Sequence, residues 1–111
     1  MQVATQVEEH AEGRVGLLLV EGELDLGTCG LLVDAVRRVL RDAVVAVEVD
    51  LRAVSFLAVA GAGALIRCRR IVDASGGSFR LVSPSAPVEW LLTATGLDAV
   101  FDVLEGPGRR T

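Results

Sequence analysis

The order of apolar and polar segments predicts an α/β domain built on one sheet. Strand-like segments alternate with helix-like segments in the order β-β-α-β-α-β-α-β. No internal repeat, long linker or low-complexity stretch interrupts this order. Alternation with helices of about 10 to 15 residues is typical of sheets whose strands are joined by right-handed crossovers. The 111 residues are expected to form a single domain, long enough for one core.

Five segments have the composition of strands. They are expected at Val3–Glu8, Val15–Val20, Val44–Leu51, Ser78–Ser83 and Ala99–Leu104. The second is almost continuously apolar, as expected for a strand buried on both faces. The third alternates with period two, so its odd-numbered residues should face helices, while Glu48 and Asp50 should face at least some water.

Three helices are expected between the strands, at Thr28–Asp42, Gly61–Ala74 and Ser85–Thr95. Thr28 and Ser85 have side chains that can cap the first and third helices. The sequence "SGG" after the second helix and Gly96 after the third are glycine stop signals.

The composition argues against several classes of function. The net charge is −4 and the eleven basic residues, all Arg, form no stripe, which disfavours nucleic-acid binding. The longest uncharged stretch, Ala53–Ile66, has 14 residues and two glycines, too short for a membrane span. Because the N-terminus also lacks the features of a secretory signal, we expect a cytoplasmic protein without membrane insertion.

Cysteine and histidine residues give little support for a metal site, a disulfide framework or a cofactor. Cys29 and Cys68 lie 39 positions apart, and the single His10 has no ligand-like neighbours. Cys68 has helical spacing with apolar residues and is expected in the core. Cys29, near a helix N-terminus, is the better candidate for a lowered thiol pKa and a redox role, although an inert thiol is the favoured interpretation.

The segment "FLAVAGAGAL", Phe56–Leu65, leads from the third strand into the second helix and is called the switch segment. Such turns often hold phosphates or nucleophiles in α/β domains, yet this one has no charge and no hydroxyl. Its "GAG" is half of a dinucleotide fingerprint, and small residues at a tight helix start are the simpler explanation. Asp25, in "GELD", is better interpreted as a capping or solvated carboxylate than as a base. Nothing here indicates an enzyme.

Three segments in register resemble the STAS domains of bacterial anti-sigma factor antagonists: "GELDL", "VEVDLRAVSFLAVAGAGALI" and "APVEWLLTATGLDAVFDV". The resemblance covers Val3 to Val103. It implies a single STAS domain over residues 1–111, with a mixed sheet of about five strands and helices packed on one side. Residues 105–111, "EGPGRRT", have no apolar periodicity and are expected to be a flexible tail, where many relatives continue into a last helix.

The resemblance also implies a regulatory mechanism, but this sequence lacks the serine on which that mechanism acts. In the family, a segment close to "FIDSSGLGVL" carries a serine that is phosphorylated by the anti-sigma factor, a kinase of the histidine-kinase ATPase type. The unphosphorylated antagonist binds that kinase and frees the sigma factor. Phe56, Leu57, Gly61, Gly63 and Leu65 match this segment, whereas the aspartate and both serines are replaced by Ala58, Val59 and Ala60.

Ala60 therefore stands at the position of the phosphorylated serine and cannot accept a phosphate. The resemblance implies that this domain binds an anti-sigma factor without phosphorylation control, through Asp25, Ala58, Val59, Ala60, Gly61 and Ala62. Ser55, the only nearby hydroxyl, is expected to be tucked inward. The alternative function is a STAS subunit that acts as a scaffold or as a partner of a transporter ATPase.

Helical geometry singles out Trp90 on the third helix. One stripe of that helix should meet the sheet, and it consists of Val88, Leu91, Leu92 and Thr95. Trp90 points nearly opposite this stripe. It either lies flat over neighbouring side chains or the N-terminal segment, or it is exposed as an apolar anchor for a homodimer or a scaffold neighbour.

Overall fold

A computed structural model describes the backbone of residues 1–106 and 109–110, and the side chains of residues 1–105. The described residues form six strands: β1 Gln2–His10, β2 Gly13–Leu24, β3 Ala46–Leu57, β4 Ser78–Val82, β5 Asp102–Gly106 and β6 Arg109–Arg110. Three α-helices connect the central strands: α1 Cys29–Leu40, α2 Val59–Ala74 and α3 Ala86–Thr95. A short 3-10 turn, Leu97–Ala99, follows α3.

The strands form one mixed sheet in which the spatial order follows the chain order. β1 is antiparallel to β2, the strands from β2 to β5 are parallel, and β6 is antiparallel to β5. Right-handed crossovers that add parallel strands in one direction place their helices on the same face of the sheet. The predicted fold class, a mixed sheet with helices on one side, is confirmed.

The helices and the face of the sheet beneath them enclose the core. It is built mostly from Val, Leu and Ala, including Leu18, Val49 and Leu81 from three adjacent strands. Burying each such side chain stabilises the fold by about 1.5–3 kcal/mol. The opposite side of the sheet is called the open face. By register it carries Leu17, Leu19, Glu48, Asp50, Arg80 and Val82.

The open face corrects two predictions about the central strands. β2 is not buried on both faces, because Leu19 is 50% exposed there. In β3, Glu48 was expected to meet water but is only 2% exposed. Its burial is possible because Arg80, on the neighbouring strand, donates a hydrogen bond to Glu48 at 3.0 Å. A buried charge needs such a partner.

Several segment boundaries also differ from the prediction. β2 and β3 continue to Leu24 and Leu57 rather than ending at Val20 and Leu51, and α2 begins at Val59 rather than Gly61. Val45 was assigned to the helix-facing side of β3, yet it precedes the strand and is exposed. The last predicted strand begins at Asp102 rather than Ala99, because Leu97–Ala99 closes a 3-10 turn after Gly96. The predicted flexible tail, residues 105–111, lies largely outside the described residues. Within it, β5 extends to Gly106 and the backbone at 109–110 forms β6.

The two predicted caps occupy their expected positions but bond elsewhere. Thr28 and Ser85 are the N-cap residues of α1 and α3, and neither side chain accepts a hydrogen bond from its own helix. The Ser85 hydroxyl donates to the Val54 carbonyl at 2.6 Å, which fastens the start of α3 to β3. Tertiary contact has replaced local capping at this helix.

Candidate functional site

The candidate site lies where β2 and β3 end and lead into α1 and α2. These strands are parallel and paired to their last residues, with Leu24 opposite Leu57. Their carboxyl ends therefore meet at one edge of the sheet, and the two helix starts lie beside each other. Ligands and partners of parallel α/β sheets commonly bind at this edge.

Side-chain hydrogen bonds organise the loop between β2 and α1. Asp25 Oδ1 accepts the backbone N–H of Thr28 at 3.1 Å. The Thr28 hydroxyl accepts the N–H of Asp25 at 3.0 Å and donates to the Glu23 carbonyl at 2.8 Å. Asp25 is therefore an acceptor within the loop: it bonds the N–H of Thr28, the N-cap residue itself, and no side chain caps the helix.

The start of α2 is held by the backbone instead. Ala58 is the N-cap residue, and no side chain caps the helix. The Ala58 N–H donates to the Leu24 carbonyl at 3.0 Å. A Cβ at Gly61 would lie 2.3 Å from that same carbonyl oxygen, so only glycine allows this close approach. The small-residue explanation of "GAG" therefore applies to Gly61, whereas a Cβ at Gly63 would meet nothing within 4 Å.

The residues predicted to contact a partner divide into two layers. Val59 is on the surface and is 74% exposed, while Asp25, Ala58 and Ala60 are half-buried at the same edge. Gly61 and Ala62 are buried. They support the start of α2 from beneath, and their predicted part in a partner contact stays a prediction.

Three further exposed apolar residues at this edge of the sheet were missed by the sequence analysis. Leu26 is 79% exposed in the loop before α1, and Leu31 and Phe56 are also exposed. With Val59 they form what we call the apolar rim: Leu26, Leu31, Phe56 and Val59. One sign of this exposure was readable in the sequence. Leu26 stands between Asp25 and Gly27 in a loop, where few neighbouring side chains can cover it. Exposed apolar groups gathered at one edge of a domain are typical of interaction surfaces.

Ser55 does not fit its predicted environment. It was expected to be tucked inward, but its side chain is exposed at the end of β3. The alternation of buried and exposed side chains is interrupted at this point of the strand. Val54 is buried, but Ser55 and Phe56 are both exposed. A hydroxyl is therefore accessible near the switch segment, although outside its helix.

The two cysteines have different environments. Cys68 is buried in the core, where loss of hydration raises the pKa of its thiol to about 12, so the thiol stays protonated and inert. Cys29 begins α1 and is partly exposed, and its thiol donates to the Leu26 carbonyl at 3.4 Å. The possible redox role of Cys29 stays a prediction.

Trp90 lies on the outer side of α3 and is 71% exposed. Of the stripe predicted to meet the sheet, Val88 and Leu92 are buried as expected and Leu91 is half-buried, but Thr95, at the end of the helix, is exposed. A shallow depression beside the indole is lined by Ala86, Glu89, Thr93 and Ala94. Trp90 is therefore not covered by its own domain in the described part of the chain, and its role as a second contact stays a prediction.

Among residues 1–106, no group of three or more His, Cys, Asp or Glu side chains is arranged to hold a metal ion. None of the described helices is long and apolar enough to span a bilayer. His10 contacts Glu8 at 3.0 Å across the surface of β1.

Comparisons with known proteins agree with this geometry. The STAS domain family matches residues 5–107. The crystal structure of an anti-sigma factor antagonist from Mycobacterium paratuberculosis is 30% identical, with a TM-score of 0.73, over 92% of this chain and 85% of that one.

Structures of SpoIIAA are similar in fold. Its unphosphorylated form is 22% identical with a TM-score of 0.68, covering 90% of this chain and 87% of that one. The phosphorylated form from Bacillus is 21% identical with a TM-score of 0.61, covering 90% of each chain. The curated proteins gave no significant match. Because the family match spans nearly the whole sequence, the chain belongs to the STAS domain family.

Proposed function

We propose that this protein is a non-catalytic partner-switching regulator that binds an anti-sigma factor of the histidine-kinase ATPase type without phosphorylation control. Similarity to anti-sigma factor antagonists supports a regulatory role of the STAS type. The observation that carries the finer proposal is the start of α2, where Ala60 stands in the first turn and the exposed residues of the apolar rim lie at the same edge of the sheet.

The absence of a hydroxyl at Ala60 has a direct electrostatic consequence. A phosphate would add about −1.5 to −2 charges at the positive end of α2. Ala60 cannot carry it, so the apolar surface that a partner meets keeps the same charge at all times. Constant binding, rather than regulated release, follows from that chemistry.

The proposal can be tested by measuring affinity for a cognate anti-sigma kinase by calorimetry. Ala60→Glu should weaken binding by about 1 kcal/mol or more, because the partner would have to desolvate a carboxylate. Glutamate in the first turn of a helix is favoured by the helix dipole, so the variant should fold. Ala94→Glu, which places the same charge on the exposed side of α3, is the matched control and should bind normally. Equal affinity for all three proteins would place the interface elsewhere.

Phosphorylation provides an independent test. Incubation with the kinase and labelled ATP should leave the switch segment unlabelled, whereas Ala60→Ser should restore an acceptor. Because Ser55 is exposed, the label must be mapped, and Ser55→Ala serves as the control. Phosphate on Ser55 of the natural protein would contradict control-free binding.

The alternative, a scaffold or a transporter-ATPase partner, gains support from the exposure of Trp90, because a scaffold subunit needs a second contact surface. Purification with the natural partner distinguishes the two functions. A small ATP-binding kinase domain is expected for the first, and a transporter ATPase or further STAS subunits for the second.

A further inference from the structure

The outer edge of the sheet at β1 has no strand beside it in the described part of the chain. β1 pairs only with β2, and the register between them holds over all nine residues of β1 without a bulge. Natural sheets commonly protect such an edge with proline, lysine, a bulge or a very short edge strand. β1 has none of these, whereas β6, at the opposite edge, has only two residues, both of them Arg. β1 is therefore the edge that is open to another strand.

The hairpin turn determines which backbone groups of β1 point away from the sheet. His10 pairs with Gly13 across a turn of two residues, and residues paired in that position exchange main-chain hydrogen bonds. Bonded pairs alternate along antiparallel strands, so the even-numbered residues of β1 are bonded to β2. The N–H and C=O groups of Val3, Thr5 and Val7 therefore point outward. Among the described residues, none bonds these groups from outside the sheet.

The side chains of these three residues also leave part of the helix side of the sheet uncovered. Val3 and Thr5 lie opposite Val20 and Leu18, so they share that side with the core. α1 covers β1 only in part, since Thr5 is exposed and Val7 is 38% exposed. A further strand beside β1 would cover both.

The sequence of this stretch, "VATQV" at residues 3–7, is suited to pairing with a second copy of itself. A two-fold axis at Thr5 sets the outward-bonding residues of the two copies opposite each other, as an antiparallel pair requires. Val3 then lies opposite Val7 of the second copy, and Thr5 lies opposite its own counterpart. Facing β-branched side chains are favourable cross-strand pairs.

The acidic residues of β1 agree with the same register. Glu8 and Glu9 would lie opposite the uncharged side chains at the start of the second copy, so no carboxylate of β1 would face another across the contact. An axis moved by one residue, to Gln6, would instead set Glu9 opposite Val3 and separate the two valines. The axis at Thr5 is the one that pairs them.

We propose that β1 pairs antiparallel with β1 of a second copy about a two-fold axis at Thr5, which joins the two sheets into one. Three opposing pairs would exchange about six main-chain hydrogen bonds, two in each pair. Because the contact involves a single strand from each copy, it is small, and a reversible dimer with a dissociation constant of about 100 μM is expected. No residue of the apolar rim takes part, and the dimer does not depend on the proposed anti-sigma function.

Sedimentation velocity of the full chain, from about 10 μM to about 1 mM, tests for this dimer. The sedimentation coefficient should rise from the monomer value towards the dimer value over that range. Thr5→Lys should stay monomeric, because two ammonium groups would face each other at the axis. Thr93→Lys makes the same change at an exposed position beside Trp90 on α3, and this matched control should dimerise normally. A natural protein that stays monomeric would overturn the proposal, as would a dimer that Thr5→Lys leaves intact or that Thr93→Lys disperses.

A mixture of charge variants tests the symmetry of the contact. Thr5→Glu alone should be monomeric, because like charges again meet at the axis. Equal amounts of Thr5→Lys and Thr5→Glu should form a heterodimer at least as stable as the natural dimer, since residue 5 of each copy faces residue 5 of the other. Circular dichroism checks that both variants are folded, which the exposure of Thr5 favours. Two folded variants that remain monomeric when mixed would exclude the axis at Thr5.

Amide exchange with water, measured by NMR, tests the natural protein without any variant. The N–H groups of Val3, Thr5 and Val7 should exchange about threefold more slowly at about 1 mM than at about 50 μM, because more of the protein is then dimeric. The N–H groups of Ala4 and Gln6 are bonded to β2 in both states, so their exchange should not change. Exchange that is independent of concentration at Val3, Thr5 and Val7 would show that β1 does not form the contact.

Discussion

The starts of α1 and α2 lie side by side at one edge of the sheet but are fixed by different means. At α1, the side chains of Asp25 and Thr28 supply the hydrogen bonds. At α2, the Leu24 carbonyl receives the Ala58 N–H and packs against Gly61, and no side chain caps the helix. The side chains at Ala58, Val59 and Ala60 are therefore not needed to hold α2 in place. This segment therefore keeps its backbone arrangement without any hydroxyl group.

Gly61→Ala should break the backbone arrangement at α2 and is expected to have the largest effect. The added Cβ would overlap the Leu24 carbonyl oxygen, so the free energy of unfolding should fall by about 2–3 kcal/mol. Gly63→Ala is the matched control, because its Cβ meets nothing within 4 Å and alanine favours helices, so it should stabilise by about 0.5–1 kcal/mol. Urea unfolding measures both. Similar losses in the two variants would mean that the Leu24 contact has no special role.

Asp25→Ala removes the side-chain bond at α1 and should have the next largest effect. Loss of the acceptor for the Thr28 N–H should lower the free energy of unfolding by about 1 kcal/mol. Asp34→Ala, on the exposed side of α1, removes the same charge without this hydrogen bond and should stay within about 0.5 kcal/mol of the natural protein. An equal loss of unfolding free energy in Asp34→Ala and Asp25→Ala would show that the hydrogen bond of Asp25 has no special role.

Ala58→Asp tests the comparison in the opposite direction by giving α2 a side-chain cap at its N-cap position, which neither helix has. Aspartate at an N-cap position accepts an N–H and favours the positive helix end, so stability should rise by about 0.5–1 kcal/mol. Ala58→Asn supplies the acceptor without the charge and separates the two contributions. A shift in the urea midpoint measures the gain. No gain in either variant would show that the first turn of α2 cannot use a cap.

The smallest expected effect is on the fluorescence of Trp90, which should be the same in all of these variants. It is exposed on α3, so its emission should be red-shifted and readily quenched by acrylamide in dilute solution. Folded Asp25→Ala and Ala58→Asp proteins should give the same spectrum. A blue shift that grows with protein concentration would support the second contact surface, whereas a blue, quencher-resistant emission from a monomer would exclude it.

The sequence predicted the parts of this structure that depend on local patterns. Periodicity located the helices and most of the strands, and the outward direction of Trp90 followed from helical geometry alone. The pairing of small residues with a tight helix start identified the role of Gly61. These features are determined within a few neighbouring residues, which is why a single sequence was sufficient.

Features that depend on distant partners were not predicted. Glu48 was expected to be wet because a lone carboxylate in a strand gives no sign of its partner, Arg80, which lies 32 positions later. Ser85 was expected to cap its own helix, since its bond to the Val54 carbonyl depends on how α3 packs on β3. At the site, the exposure of Leu26 and Ser55 depends on what the fold leaves uncovered.

The pair between Arg80 and Glu12 has a consequence for the lifetime of the native state. It joins the tip of the β1–β2 hairpin to β4 across 68 positions of the chain. A contact between such distant residues forms only after the intervening strands have assembled, so it should be absent from the folding transition state. Interactions of that kind slow unfolding and leave the folding rate almost unchanged. The contact at the hairpin tip would therefore lower the unfolding rate of the sheet and leave its folding rate almost unchanged.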